Sequence, residues 1–181
     1  MKKAAIFFAD GFEEIEALSV VDVLRRAGMQ VTTISIMNKK LINGSHDINV
    51  YADEMFDDVN LSEYDAIVLP GGMPGTTNLA NHSGVIDTVR EFFKQGKLVS
   101  AICAAPSVLG KAGILEGKKA TVYPGFEDAL TGGEYIKNQV VQDDNIITAP
   151  GMGKAILFAL KIVEYFEDKA AADKLAKDII F

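Results

Sequence analysis

The chain has 181 residues, a formal net charge of −7 and a 49% hydrophobic composition, which suits one compact domain over residues 1–181 with a well-buried core. The acidic balance, with basic residues only in isolated pairs such as Arg25-Arg26 and Lys39-Lys40, argues against nucleic-acid binding, which rests on phosphate neutralisation. A single cysteine excludes an internal disulfide and a Cys-x-x-Cys metal site and suits a reducing compartment, so the cytoplasm is the expected location.

Met1-Lys2-Lys3 and the apolar run Ala4 to Ala9 outline a signal peptide, but the run stops at Asp10 without a small-x-small cleavage site. It reads as a first buried strand. No apolar stretch reaches membrane-spanning length, so no membrane partner is expected. Glu13 to Ala27 follows as an amphipathic helix stopped by Gly28, then Gln30 to Met37 as a β-branched strand. Asn43-Gly44 marks a turn before a short strand, Ile48 to Tyr51. Asp65 to Leu69 is an apolar strand running into Pro70-Gly71-Gly72-Met73-Pro74-Gly75. Ser83 to Lys94 is helical, Leu98 to Ile102 a buried strand, and Ala104 to about Lys111 the next helix. Short strands near Ala120–Tyr123, Val140–Gln142 and Ile146–Thr148 precede helices at Gly153–Phe166 and Lys169–Lys177. Strands alternating with helices predict an α/β fold: a doubly wound, mostly parallel sheet sandwiched by helices. In such sheets ligand sites lie beyond the carboxyl ends of the strands, here at Asp10-Gly11, Pro70-Gly71-Gly72 and Cys103.

Around the cysteine the sequence reads Ala101-Ile102-Cys103-Ala104-Ala105-Pro106. A tight strand-to-helix elbow requires small residues two before and two after the nucleophile, and Ala101 and Ala105 meet that requirement. A side chain there faces the start of the following helix, whose unpaired N–H groups favour a thiolate. The Ala104 N–H is placed to donate to a developing oxyanion. The alternative is a small, inert, buried cysteine. On the first helix, Val20, Val23, Leu24 and Ala27 define the apolar arc. Glu16 falls inside it, while Glu14 falls outside with Asp22, Arg25 and Arg26. A buried Glu16 keeps its proton and can donate a hydrogen bond to a cysteine thiolate or to its oxidised oxygen. Glu13 and Glu14 read as acids that complement the helix dipole.

The glycine loop lacks the Lys-Ser/Thr of a P-loop. Its Gly72 N–H is a candidate second oxyanion donor, with plain turn formation as the competing use. His46 and His82 sit in polar stretches without partners at metal-ligand spacing, so no metal is expected. With no histidine after His82, a glutaminase-type Cys-His-Glu triad is excluded.

Jointly, Ala9-Asp10-Gly11-Phe12-Glu13-Glu14-Ile15-Glu16, Asp22-Val23-Leu24-Arg25-Arg26-Ala27-Gly28, Val68-Leu69-Pro70-Gly71-Gly72, Ala101 to Pro106 and Pro150-Gly151-Met152-Gly153 resemble the ThiJ/PfpI family, in its Parkinsonism-associated protein deglycase branch. The resemblance implies a flavodoxin-like sandwich of the class I glutamine amidotransferase type, a homodimer, no cofactor and an oxidation-sensitive cysteine. It assigns Cys103 as nucleophile, Glu16 as its protonated partner, and the Gly72 and Ala104 amides as the oxyanion pocket. Gly71, His46 and Tyr123 line that pocket. The activity implied is a glyoxalase that converts methylglyoxal to lactate, or a deglycase acting on glycated proteins, in protection against oxidative and carbonyl stress. The alternative is a non-enzymatic redox sensor or chaperone-like protein. Three departures stand out. Ala104 replaces the histidine of the protease-like branch, which argues against a peptidase. Tyr123-Pro124 stands where relatives often have His-Pro, and His46 stands where relatives can carry an arginine.

Overall fold

In the computed structural model, which describes residues 1–181, β1 (Lys3–Phe8) leads through α1 (Glu14–Arg26) to β2 (Gln30–Ser35). A hairpin of β3 (Leu41–Asn43) and β4 (Asn49–Tyr51) follows, then the short β5 (Glu54–Met55). Next come β6 (Ala66–Leu69), α2 (Gly75–Asn81), α3 (Ser83–Lys94), β7 (Leu98–Ile102) and α4 (Pro106–Ala112). The chain ends with β8 (Lys119–Ala120), β9 (Glu134–Tyr135), β10 (Val141–Asp143), β11 (Ile146–Ala149), α5 (Ala155–Phe166) and α6 (Lys169–Asp178).

Seven strands form the central sheet in the order β10-β11-β7-β6-β1-β2-β5, parallel throughout except for β10 against β11. The period-two alternation of a strand sorts β1 between two cores. Ala4, Ile6 and Phe8 point to one face with Val20, Leu24 and Phe158 of α1 and α5. Ala5 and Phe7 point to the other with Val85, Val89, Val108 and Leu109 of α3 and α4. A strand covered on both faces has no polar side, which is why these segments read as unbroken apolar runs. The one polar residue inside β7, Ser100, is fully buried and donates its hydroxyl to the Ile67 carbonyl of β6 at 2.9 Å. This is the expected doubly wound, flavodoxin-like architecture.

Beyond the short strands β3, β5 and β9, which the sequence reading does not contain, two helices depart from it. Residues 75–81 form α2, because Leu79 anchors a stretch that has no apolar periodicity of its own. The helix after the cysteine starts at Pro106 rather than Ala104, because residues 103–105 are spent on the turn itself. The topology settles where a site can form. From β1 the chain moves outward to β2 and later returns on the opposite side to β6, so the winding direction reverses between β1 and β6. The carboxyl ends of β1, β6 and β7 are therefore adjacent, at the switch point where doubly wound sheets bind ligands.

Candidate functional site

Cys103 lies just past β7 with φ +65°, a left-handed conformation that few non-glycine residues adopt. Its backbone is pinned on both sides: its N–H donates to the Ala149 carbonyl at 2.9 Å, and its carbonyl accepts from the Tyr123 N–H at 2.7 Å. Ala101 and Ala105 are wholly buried against the turn, and Pro106 occupies the first position of α4, where its missing N–H leaves no partner wanting. The side chain is partly buried. The backbone amides of Gly72 and Ala104 face its sulfur and lower its pKa.

Glu16 comes from α1 and is 1% exposed. The Gly71 N–H donates to its Oε2 at 2.9 Å, and its carboxyl also interacts with the Cys103 thiol. Oε1 has no partner of strict hydrogen-bond geometry. Burial pushes this carboxyl up to about 7, against the lowering effect of the thiol and the Gly71 amide; the nearby charge of Glu13 adds to the rise. The sequence reading expected the helix start to lower the thiol pKa. Instead burial, then the charge and hydrogen bond of Glu16, push Cys103 up to about 12, outweighing the two amides. That is the cost of ionising the sulfur beside a carboxylate already charged. Cys103 and Glu16 thus titrate as a coupled pair, in which a charge on one holds back ionisation of the other.

The glycines are spacers in this arrangement. A Cβ on Gly71 would lie 2.5 Å from the Cys103 Cβ and 2.6 Å from Glu16 Oε2, inside the pair. Gly72 has φ +87° and comes so close to α1 that a Cβ would lie 2.4 Å from the Glu13 nitrogen. The same loop is locked to α1 by the Glu13 N–H donating to the Gly71 carbonyl at 2.9 Å.

Of the remaining expected residues, Tyr123 is held by its backbone against Cys103, and its half-exposed ring lies over Gly151, 3.4 Å from where a Cβ would stand. His46 is at the rim, its side chain 68% exposed, with Nδ1 3.0 Å from Glu14 Oε2 and 3.5 Å from Glu13 Oε2. It reaches the site through Glu13 and makes no bond to Cys103 or Glu16. His82 is elsewhere, accepting from the Val85 N–H at the start of α3.

Glu14 corrects the sequence reading. It lies off the helix's own apolar arc, yet it is 3% exposed, because the 44–48 loop closes over it. Its Oε1 accepts from the His46 N–H at 2.7 Å and from Ile48 N–H at 3.4 Å, and Oε2 contacts Ser45 Oγ and His46 Nδ1. Burial would raise its pKa, but these hydrogen bonds, led by the His46 ring, bring it down to about 2. Gly44 is the one signal in the sequence: a Cβ there would lie 2.1 Å from Glu14 Oε1. Donor atoms of Glu13, Glu14 and His46 lie within 4.8 Å of one another, a grouping that the spacing of the histidines did not suggest. Glu14's oxygens are already engaged by the loop. No helix is long and apolar enough to cross a membrane.

Comparison with known proteins gives concordant results. Residues 2–165 match the model of the DJ-1/PfpI family. Protein dj-1beta of Drosophila melanogaster is 38% identical over 181 residues, 99% of this chain and 97% of that protein. The structure of oxidized DJ-1 from Toxoplasma gondii superposes with a TM-score of 0.96 at 36% identity, covering 100% of this chain and 99% of that one. That of a C103A mutant of a DJ-1 superfamily protein from Salmonella typhimurium gives 0.91 at 36% identity, covering 100% and 99%.

Proposed function

The chain belongs to the DJ-1/PfpI family, and we propose that it is a single-domain, cysteine-dependent protein of oxidative and carbonyl stress in which Cys103 is the reacting group. The supporting observation is how the amides are shared. Two N–H groups, of Gly72 and Ala104, face the sulfur and favour its charged form, whereas one, of Gly71, donates to Glu16, whose second oxygen is buried without a partner. Charge goes where donors are, so the single negative charge of the pair rests on sulfur and the proton stays on Glu16.

A thiolate so placed adds to the aldehyde carbon of methylglyoxal. The carbonyl π electrons pass to oxygen, the Gly72 and Ala104 amides stabilise the oxyanion, and Glu16 gives up its proton to form a hemithioacetal. The resulting carboxylate then carries the C1 proton toward C2, and water hydrolyses the thioester to lactate, so no cofactor or external oxidant enters the balance. The same addition is the first step on a glycated protein. Ala104 beside the nucleophile supplies no peptidase base.

The test is the pH dependence of Cys103 alkylation by iodoacetamide together with lactate release from methylglyoxal. Wild type should show alkylation rising near pH 7. A rise confined to the region near 12 would place the charge on Glu16 and overturn the reading. Glu16→Gln should keep alkylation and lose lactate formation, and equal lactate from wild type and Cys103→Ser would remove the enzyme.

A second reading, a redox sensor, draws on Tyr123 at the position next to the cysteine, where no imidazole stands to shuttle protons. Peroxide would transfer an oxygen to the thiolate, releasing water with the Glu16 proton, and a second equivalent would give the sulfinic acid. Mild peroxide should then add two oxygens at Cys103 by intact mass. A homodimer fits the exposed Ile15 and Leu18 on α1 and the exposed Ile48 and Tyr51 of the hairpin region. Leu18→Asp should convert a dimer in sedimentation equilibrium to monomer. A lone reactive thiol suits the cytoplasm.

A further inference from the structure

The rim of the site carries charge that the proposed chemistry does not use. Glu13 stands immediately before α1, with its side chain 14% exposed, and its backbone is tied to Gly71. Gly71 in turn holds Glu16. Opposite Glu13 is His46, with Nδ1 3.5 Å from Oε2, and Ser45 Oγ donates to the same oxygen at 3.2 Å. The His46 backbone N–H is fixed by the buried Glu14, and its ring is held beside the same carboxyl, with Nδ1 3.0 Å from Oε2.

We propose that His46 is a positioning residue for Cys103: its imidazolium offsets the Glu13 carboxylate and thereby sets how firmly Glu16 keeps its proton. This rests on the reading that Cys103 and Glu16 are the reactive pair. The groups facing His46 are Glu13, Glu14 and, within its own loop, Asp47. Those acting on Glu16 are Cys103, the Gly71 amide and Glu13. Glu14 stays ionised at neutral pH and contributes a constant background. Glu13 is the group common to both sets.

The direction follows from the signs. The hydrogen bond to Glu14 and then the charges of Glu13 and Glu14 raise the His46 pKa, so its charge persists to higher pH than on an ordinary histidine. While charged, it opposes Glu13, and the pair releases its first proton more readily. Once it is neutral, the Glu13 charge acts unopposed and holds that proton to higher pH. The ring is exposed, so the effect weakens with added salt.

The experiment is the pH profile of Cys103 alkylation by iodoacetamide in wild type, His46→Gln and His46→Arg, each repeated in a Glu13→Gln background. His46→Gln should move the rise to higher pH, slowing alkylation at pH 6.5 by about twofold or more. His46→Arg, charged at every pH, should restore the wild-type rate there or exceed it. With Glu13→Gln, both His46 changes should lose their effect. A neutral-pH rise that His46→Gln leaves in place, or a shift that survives Glu13→Gln, overturns this inference alone. A wild-type profile with no rise near neutral pH overturns the reading of the pair and this inference with it.

Discussion

Gly71→Ala is the sharpest test of how the site is spaced. Gly71 does not have a positive φ, so alanine meets no backbone penalty there, and everything the substitution does comes from one methyl group. That methyl would lie 2.5 Å from the Cys103 Cβ, 2.6 Å from Glu16 Oε2 and 3.0 Å from the Ile102 carbonyl. Neither neighbour can yield easily, because Glu16 is buried and Cys103 is bonded at both its N–H and its carbonyl. Overpacking of this kind costs about 1–3 kcal/mol, and disturbing the Gly71 amide bond to Glu16 adds about 1 kcal/mol. The expected loss in urea unfolding is therefore about 2–4 kcal/mol. Alkylation of Cys103 should slow by about tenfold or more as sulfur and carboxyl are forced apart. Gly96→Ala is the control. Nothing lies within 4 Å of its Cβ position, but its φ is +70°, so it should lose only about 1 kcal/mol and keep the alkylation rate. If Gly71→Ala matches Gly96→Ala in stability and alkylates like wild type, the pair is not held at the spacing described.

Glu14, with a folded pKa of about 2 against an ordinary 4.5, contributes stability that is complete above pH 4.5 and lost as pH falls through about 2. Glu14→Gln should thus be less stable by about 3 kcal/mol at pH 7, and the gap should close between pH 4.5 and 2 in urea melts; a gap constant with pH would contradict the clasp. His82→Ala should lower stability by about 1 kcal/mol through loss of the acceptor for the Val85 N–H, with His82→Asn recovering most of it. Phe158→Ala, at a wholly buried ring between sheet and α5, should cost about 3–5 kcal/mol by the same measurement.

What could be read from the sequence was what short-range pattern controls. The elbow was visible because Ala101 and Ala105 answer a local steric demand, and Glu16 because it interrupts the apolar arc of its own helix. Glu14 escaped for a complementary reason: helical periodicity describes one buried side, and the second cover comes from a loop thirty residues on, whose amides no spacing rule connects to an acid at a helix start. The sign of the cysteine's pKa shift was hidden likewise. The sequence displays the helix start, but the burial and the neighbouring carboxyl that outweigh it exist only once β1, β6 and β7 are side by side. The helix over 75–81 depends on Leu79 docking into a core made by other elements.

The sheet that aligns these residues ends in strands of two residues, β5, and three, β10. Its long, apolar, aggregation-competent strands are interior; β5 covers the outer edge of β2 only at Ile34 and Ser35, and further along that edge the Arg25 and Asp53 side chains take the Val31 carbonyl and the Thr33 N–H. Little free peptide ladder is left at either margin for another chain to extend, so growth into intermolecular sheets would have to begin by prying the centre open.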